Sequence, residues 1–223
     1  MSNQTPQFRS YLGLQKIVNS SHQLQTNINQ MLDQKFENGV KKPNLIFKIL
    51  DTFFSDTLDI KTLENIFGTV NKLNCNIQLL ILNPYSKLAK SRAAALNKSA
   101  TFEINNALYN IRCSLGRGSN HDQHLDRDDK QGFEKEEHIN VQLEKIREQN
   151  NQIIIKFYDC LTESPVYIFS PYVFKGLILH QLSAAENPWL CFIDDESQHD
   201  DIFKSLDKNF DRIWKAAKPI PIQ

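Results

Sequence analysis

Between Asn44 and Ser86 the chain reads strand, helix, strand, and no other stretch restricts the fold as tightly. Leu45-Ile46-Phe47-Lys48-Ile49-Leu50 is a short apolar run suited to a buried strand. From Asp59 to Leu73, residues Ile60, Leu63, Ile66, Phe67, Val70 and Leu73 recur at helical spacing, and Asn74 is placed to end that helix. Ile77-Gln78-Leu79-Leu80-Ile81-Leu82 is nearly continuous in apolar residues, as strands covered on both faces of a parallel sheet tend to be. Two such strands joined through a helix call for a parallel, right-handed crossover, so the fold class is α/β. The turn Asn83-Pro84-Tyr85-Ser86 falls just past the carboxyl end of the second strand, where open α/β sheets bind ligands. Pro84 disfavours helix at Asn83, and Ser86 is a natural N-cap for a helix running from Lys87 through Arg92 to Leu96.

The flanking segments divide the chain. Phe8, Leu12, Ile17, Leu24, Ile28, Met31, Leu32 and Phe36 fit one or two amphipathic helices, packed on the domain or available for dimerisation or effector coupling. Glu37-Asn38-Gly39-Val40-Lys41-Lys42-Pro43 breaks that pattern. The expected organisation is therefore an N-terminal helical extension over 1–42 and an α/β domain over 43–223, the latter carrying a polar insertion at 116–137. Helices are expected from Ala100 to Leu115 and from His138 to Gln149. The insertion gathers His121, His124, Asp126 and Asp128, which invite a nitrogen and oxygen metal site; composition alone accounts for them, and no metal is assigned. Ile153–Tyr158, Val166–Phe169, Tyr172–His180 and Trp189–Ile193 read as strands. A last helix places Ile202, Phe203, Leu206, Phe210, Ile213, Trp214 and Ala217 on one face, and Pro219 and Pro221 stop it.

Composition removes several classes of function. Lys plus Arg and Asp plus Glu both number 26 in 223 residues, so no bulk attraction to nucleic acid or an anionic membrane is expected. The basic residues look scattered along the sequence, which makes nucleic acid an unexpected partner. Cys75, Cys113, Cys160 and Cys191 lie tens of residues apart and show no metal or redox pairing; they read as reduced, mostly buried thiols. No apolar run approaches the ~20 residues that span a bilayer, and the polar N-terminus does not resemble a secretory signal, so a cytoplasmic location is expected. Gly-rich phosphate loops, nucleophile elbows and His-Glu-x-x-His helices do not occur, and no cofactor is expected.

Leu79-Leu80-Ile81-Leu82-Asn83-Pro84-Tyr85-Ser86-Lys87-Leu88-Ala89-Lys90-Ser91-Arg92, with Pro165-Val166-Tyr167-Ile168-Phe169 and Phe210-Asp211-Arg212-Ile213-Trp214-Lys215-Ala216-Ala217, resembles the phospholipase-D-like sensor domains of bacteria. The resemblance covers about residues 44 to 218 and implies a phospholipase-D-like sheet flanked by helices. Enzymes of that superfamily use a His, a Lys two residues on and a later Asp on a phosphodiester. None of His22, His121, His124, His138, His180 or His199 has Lys two residues later, and Pro165, Tyr167 and Tyr172 stand at the corresponding spacing. What the resemblance implies is a catalytically degenerate regulatory module with no catalytic residue. It would sense a small anionic ligand, such as a nucleotide or phosphorylated metabolite, or mediate interaction with an effector protein or a second copy through the N-terminal helix. Asn83, Ser86, Arg92, Tyr167, Tyr172 and His180 are the candidate ligand-binding residues, since aromatic faces and a guanidinium suit such anions. The alternative is an enzyme acting on a phosphoester or nucleotide through an unrecognised site, for instance His180 with Asp159 or Asp194.

Overall fold

The computed structural model describes residues 14–36, 46–53, 57–116, 136–160, 164–177, 187–194 and 202–221. Among these residues seven strands and six helices follow one another as β1 (Leu14–Val18), α1 (Ser21–Phe36), β2 (Ile46–Asp51), α2 (Ile60–Leu73), β3 (Asn76–Leu82), α3 (Lys87–Ala95), α4 (Ala100–Gly116), α5 (Glu136–Gln149), β4 (Ile153–Tyr158), β5 (Val166–Phe169), β6 (Tyr172–Gly176), β7 (Trp189–Ile193) and α6 (Ile202–Ala216). All strands form one sheet in the order β1-β7-β6-β5-β2-β3-β4. β2, β3 and β4 run parallel, while β5, β6, β7 and β1 are joined antiparallel. The polar insertion, including His121, His124, Asp126 and Asp128, lies outside the described residues apart from its ends, and so does His180.

Local chemistry accounts for the central unit. Asp59 caps α2 by accepting from the Thr62 backbone N–H at 2.8 Å. Asn74 ends it in the left-handed conformation at φ 50°, a position that Asn tolerates. β2 and β3 pair from Ile46↔Asn76 to Asp51↔Ile81. Their middle residues are buried on both faces, so helices must cover both sides of the sheet. α1, α2, α4 and α5 pack side by side, whereas α6 lies on the sheet against β4 and β7 and reaches β2 through Lys48.

Two lysines hold α6 in place. Lys48 of β2 donates to Asp207 at 2.7 Å and Asp211 at 2.8 Å, and its ammonium lies 5.7 Å from the Phe210 ring centroid. Lys156 of β4 donates to the Trp214 carbonyl at 3.1 Å and sits 4.5 Å from the Trp214 ring centroid. Phe210 and Trp214 stack at 5.9 Å. Lysine in mid-strand is thus matched to a helix that brings both carboxylates and aromatic faces.

The expectation of a purely helical N-terminal extension is corrected. Leu14–Val18 is a strand, pairing antiparallel with β7 from Leu14↔Phe192 to Val18↔Trp189. The pairing decides the outcome over the weak helical stripe, because Ile17 and Val18 are stiff β-branched residues and β7 offers an open edge. Ser20 and Gln23 then start α1: the Gln23 N–H donates to Ser20 Oγ at 3.3 Å, and the Gln23 side chain reaches back to accept from the Asn19 N–H at 3.0 Å. Leu24, Ile28, Met31 and Leu32 are buried in the same core cluster as the rest of the sheet. Residues 14–36 therefore belong to the domain instead of preceding it. β6 also stops at Gly176, short of the expected His180, where its pairing with Trp189 ends.

Candidate functional site

The carboxyl ends of β2, β3 and β4 carry a connected set of polar groups centred on Asp51. This carboxylate is 1% exposed. It accepts from the Thr52 N–H at 2.6 Å and from the Tyr167 hydroxyl. The Asp51 carbonyl accepts from the Tyr158 hydroxyl at 3.2 Å, which ties β4 to β2 across β3. Tyr167 comes from β5, where it pairs with Ile49, and is fully buried against Trp189 with ring centroids 5.0 Å apart. Burial first, and the Asp51 charge second, push the Tyr167 phenol well above its ordinary pKa. It is therefore held protonated as a donor. The Trp189 indole N–H is buried with no hydrogen-bond partner among the described residues.

Asn83 joins this set through its backbone. Its N–H donates to the Tyr158 carbonyl at 2.9 Å, and its side-chain oxygen accepts from the Tyr85 N–H at 3.2 Å. Ser86 donates to the Asn83 carbonyl at 2.8 Å and accepts from the Ala89 N–H at 3.0 Å, so it caps α3 as its sequence position suggested. Asn83 and Ser86 thus form the turn that delivers α3.

Of the expected ligand residues, Asn83, Ser86 and Tyr167 fall in one network. Arg92 sits in the last turn of α3, about 9 Å along the helix from Ser86 at ~1.5 Å per residue. Tyr172 is at the wrong end of the sheet. It pairs with Phe169, while β5 runs antiparallel to β2, so Tyr172 stands roughly 20 Å along the strand direction from Asn83 at ~3.3 Å per residue. A shared cleft containing Tyr172 and Asn83 is excluded by that register. His180 lies outside the described residues.

Asp51, Tyr158 and Trp189 are the members that sequence reasoning passed over. Asp51 had a visible signal, a carboxylate closing a buried apolar strand. Tyr158 and Trp189 are aromatic ends of strands and indistinguishable from core residues until the register is known. Chemically the centre brings together one carboxylate and two phenols. Among the described residues no group of His, Cys, Asp and Glu is arranged to hold a metal ion. No described helix is long and apolar enough to cross a membrane.

No protein-family model matches the chain, and no curated protein matches it. Among solved structures, it superposes on TrmBL2, an archaeal chromatin protein described as showing a novel mode of DNA binding, with a TM-score of 0.46 and 10% identity. The superposition covers 92% of this chain and 53% of that one, so the chain spans about half the length of TrmBL2. At that score the likeness transfers nothing to this protein.

Proposed function

We propose that the chain is a catalytically degenerate phospholipase-D-like regulatory module that responds to a small polar ligand at the Asp51 end of its sheet. One observation carries the reading. Where the resemblance expects a catalytic histidine and lysine, Pro165 and Tyr167 stand, and Tyr167 is fully buried with its hydroxyl committed to Asp51. A buried, protonated phenol neither attacks phosphorus nor neutralises a phosphate. The mixed seven-stranded sheet flanked by helices is compatible with the resemblance. The Trp189 N–H beside Tyr167 favours a ligand over an idle site, since a bound acceptor would satisfy it.

A thermal-shift screen against nucleotides, cyclic nucleotides and sugar phosphates tests this. A ligand present at a hundred times its Kd stabilises by about 2.7 kcal/mol, which is easily read as a rise in Tm. Trp189→Phe should weaken the response while leaving the fold intact. Hydrolysis of a phosphodiester panel that Tyr167→Phe abolishes would overturn the reading.

A further inference from the structure

We propose that the outward face of α6 binds the phosphodiester backbone of nucleic acid. Basic residues that look scattered in sequence come together on this helix. Lys208, Arg212 and Lys215 fall at i, i+4 and i+7, share one face, and are all exposed. Lys218 is exposed just beyond the helix end. With Asp211 and Ala216, the first three line a surface depression of ≈ 580 Å³.

The acids of the helix offset this stripe only in part, Asp211 lining the same depression. α6 contains two, Asp207 and Asp211, and both are drawn to Lys48 of the sheet at 2.7 and 2.8 Å. A chain of zero net charge thus keeps a cationic row on one helix. The row is firmly backed. Phe210 and Ile213 are buried beneath it, and Arg212 donates to Asn209 Oδ1 at 2.8 Å.

The form of the row selects the partner. From Lys208 to Lys215 it spans ~10 Å at 1.5 Å per residue, so successive cations are about 5 Å apart along the axis. Phosphates recur every ~3.4 Å of axis along one nucleic-acid strand, so each cation can meet one phosphate of a run. A membrane-lying helix sets large apolar side chains opposite its cations for insertion. Here that apolar side is already buried on the sheet, and Ser205, Asn209 and Ala216 stand beside the cations. Small polar and methyl side chains likewise offer no anchor for an acidic peptide. Contacts of this kind position a backbone without reading its sequence. This inference is independent of the Asp51 centre.

Fluorescence anisotropy of the full chain with a labelled short duplex DNA, and separately with single-stranded RNA, tests it. Binding to either is expected, with a log–log salt slope for three neutralised phosphates of about −2.7 on duplex DNA and about −2.1 on single-stranded RNA, or roughly 40-fold and 20-fold weaker binding at 200 mM than at 50 mM salt. K208Q/R212Q/K215Q should lower affinity at least ~10-fold at low salt and flatten that slope, with an unchanged Tm. K61Q/K72Q, on the exposed side of α2, should bind as the parent does. Three results would each overturn the proposal: no binding to either nucleic acid, a triple variant that binds like the parent, or equal or tighter binding to polyglutamate or anionic vesicles at the same salt.

Discussion

Asp51 and Tyr167 meet in a dry environment, so removing the phenol hydroxyl takes one donor from a buried carboxylate. Tyr167→Phe should cost about 1–3 kcal/mol in urea unfolding, while Tyr172→Phe, at a half-buried position on the far end of the sheet, should stay within ~0.5 kcal/mol. The same burial predicts alkaline loss of stability. Tyr167 has its folded pKa raised above the ordinary 10.0, so its contribution is fully present below pH 10 and is lost as pH rises toward the folded value. Cys75 acts earlier, because burial pushes its thiol from 9.0 to about 11. Unfolding measured from pH 8 to 11 should therefore show a decline starting near pH 9, and Cys75→Ala should delay it to about pH 10. At this scale the sequence was a partial guide. The absence of a Lys two residues past any His was readable directly. The separation of Tyr172 from Asn83 was not, because it depends on β5 turning antiparallel to β2, and nothing local to either residue reports that turn.

α6 is the element whose attachment is easiest to test. Lys48 keeps a raised pKa although burial alone would lower it, since hydrogen bonds and charge from Asp207 and Asp211 outweigh desolvation. D207N/D211N leaves that ammonium under the helix without a counter-charge and should cost about 1–3 kcal/mol, less than a fully buried pair because both carboxylates are partly solvated. Gly176→Ala is the sharpest packing test within the sheet. A Cβ there would meet Pro165 Cγ at 2.9 Å and Trp189 Cζ2 at 3.2 Å, so a loss of roughly 1–3 kcal/mol is expected in chemical denaturation. Elements with a strong period and explicit punctuation were legible in advance: α2 between Asp59 and Asn74, β3 before Pro84, and α6 before Pro219. β1 was not. Five residues are too few to separate an alternating from a helical pattern, and its partner β7 lies at the other end of the chain.

At the level of the molecule, the N-terminal segment completes the sheet edge and part of the core. A chain beginning at residue 44 should lose cooperative unfolding and bind a hydrophobic dye, because Leu24, Ile28, Met31 and Leu32 would no longer cover their neighbours; circular dichroism melting and dye fluorescence check both. Zero net charge was correctly read from composition as a global quantity. Its distribution was hidden, since only the docked orientation of α6 turns Asp207 and Asp211 toward Lys48 and leaves Lys208, Arg212 and Lys215 exposed, with Asp211 still bordering their depression. The pairing of Leu14 with Phe192 also has a meaning for the order of synthesis. Among the described strands β1 comes first in chain order, and the one it pairs with, β7, comes last. During translation β1 must wait with its edge unclaimed, a demand that falls on chaperones and on the rate of folding rather than on the finished protein.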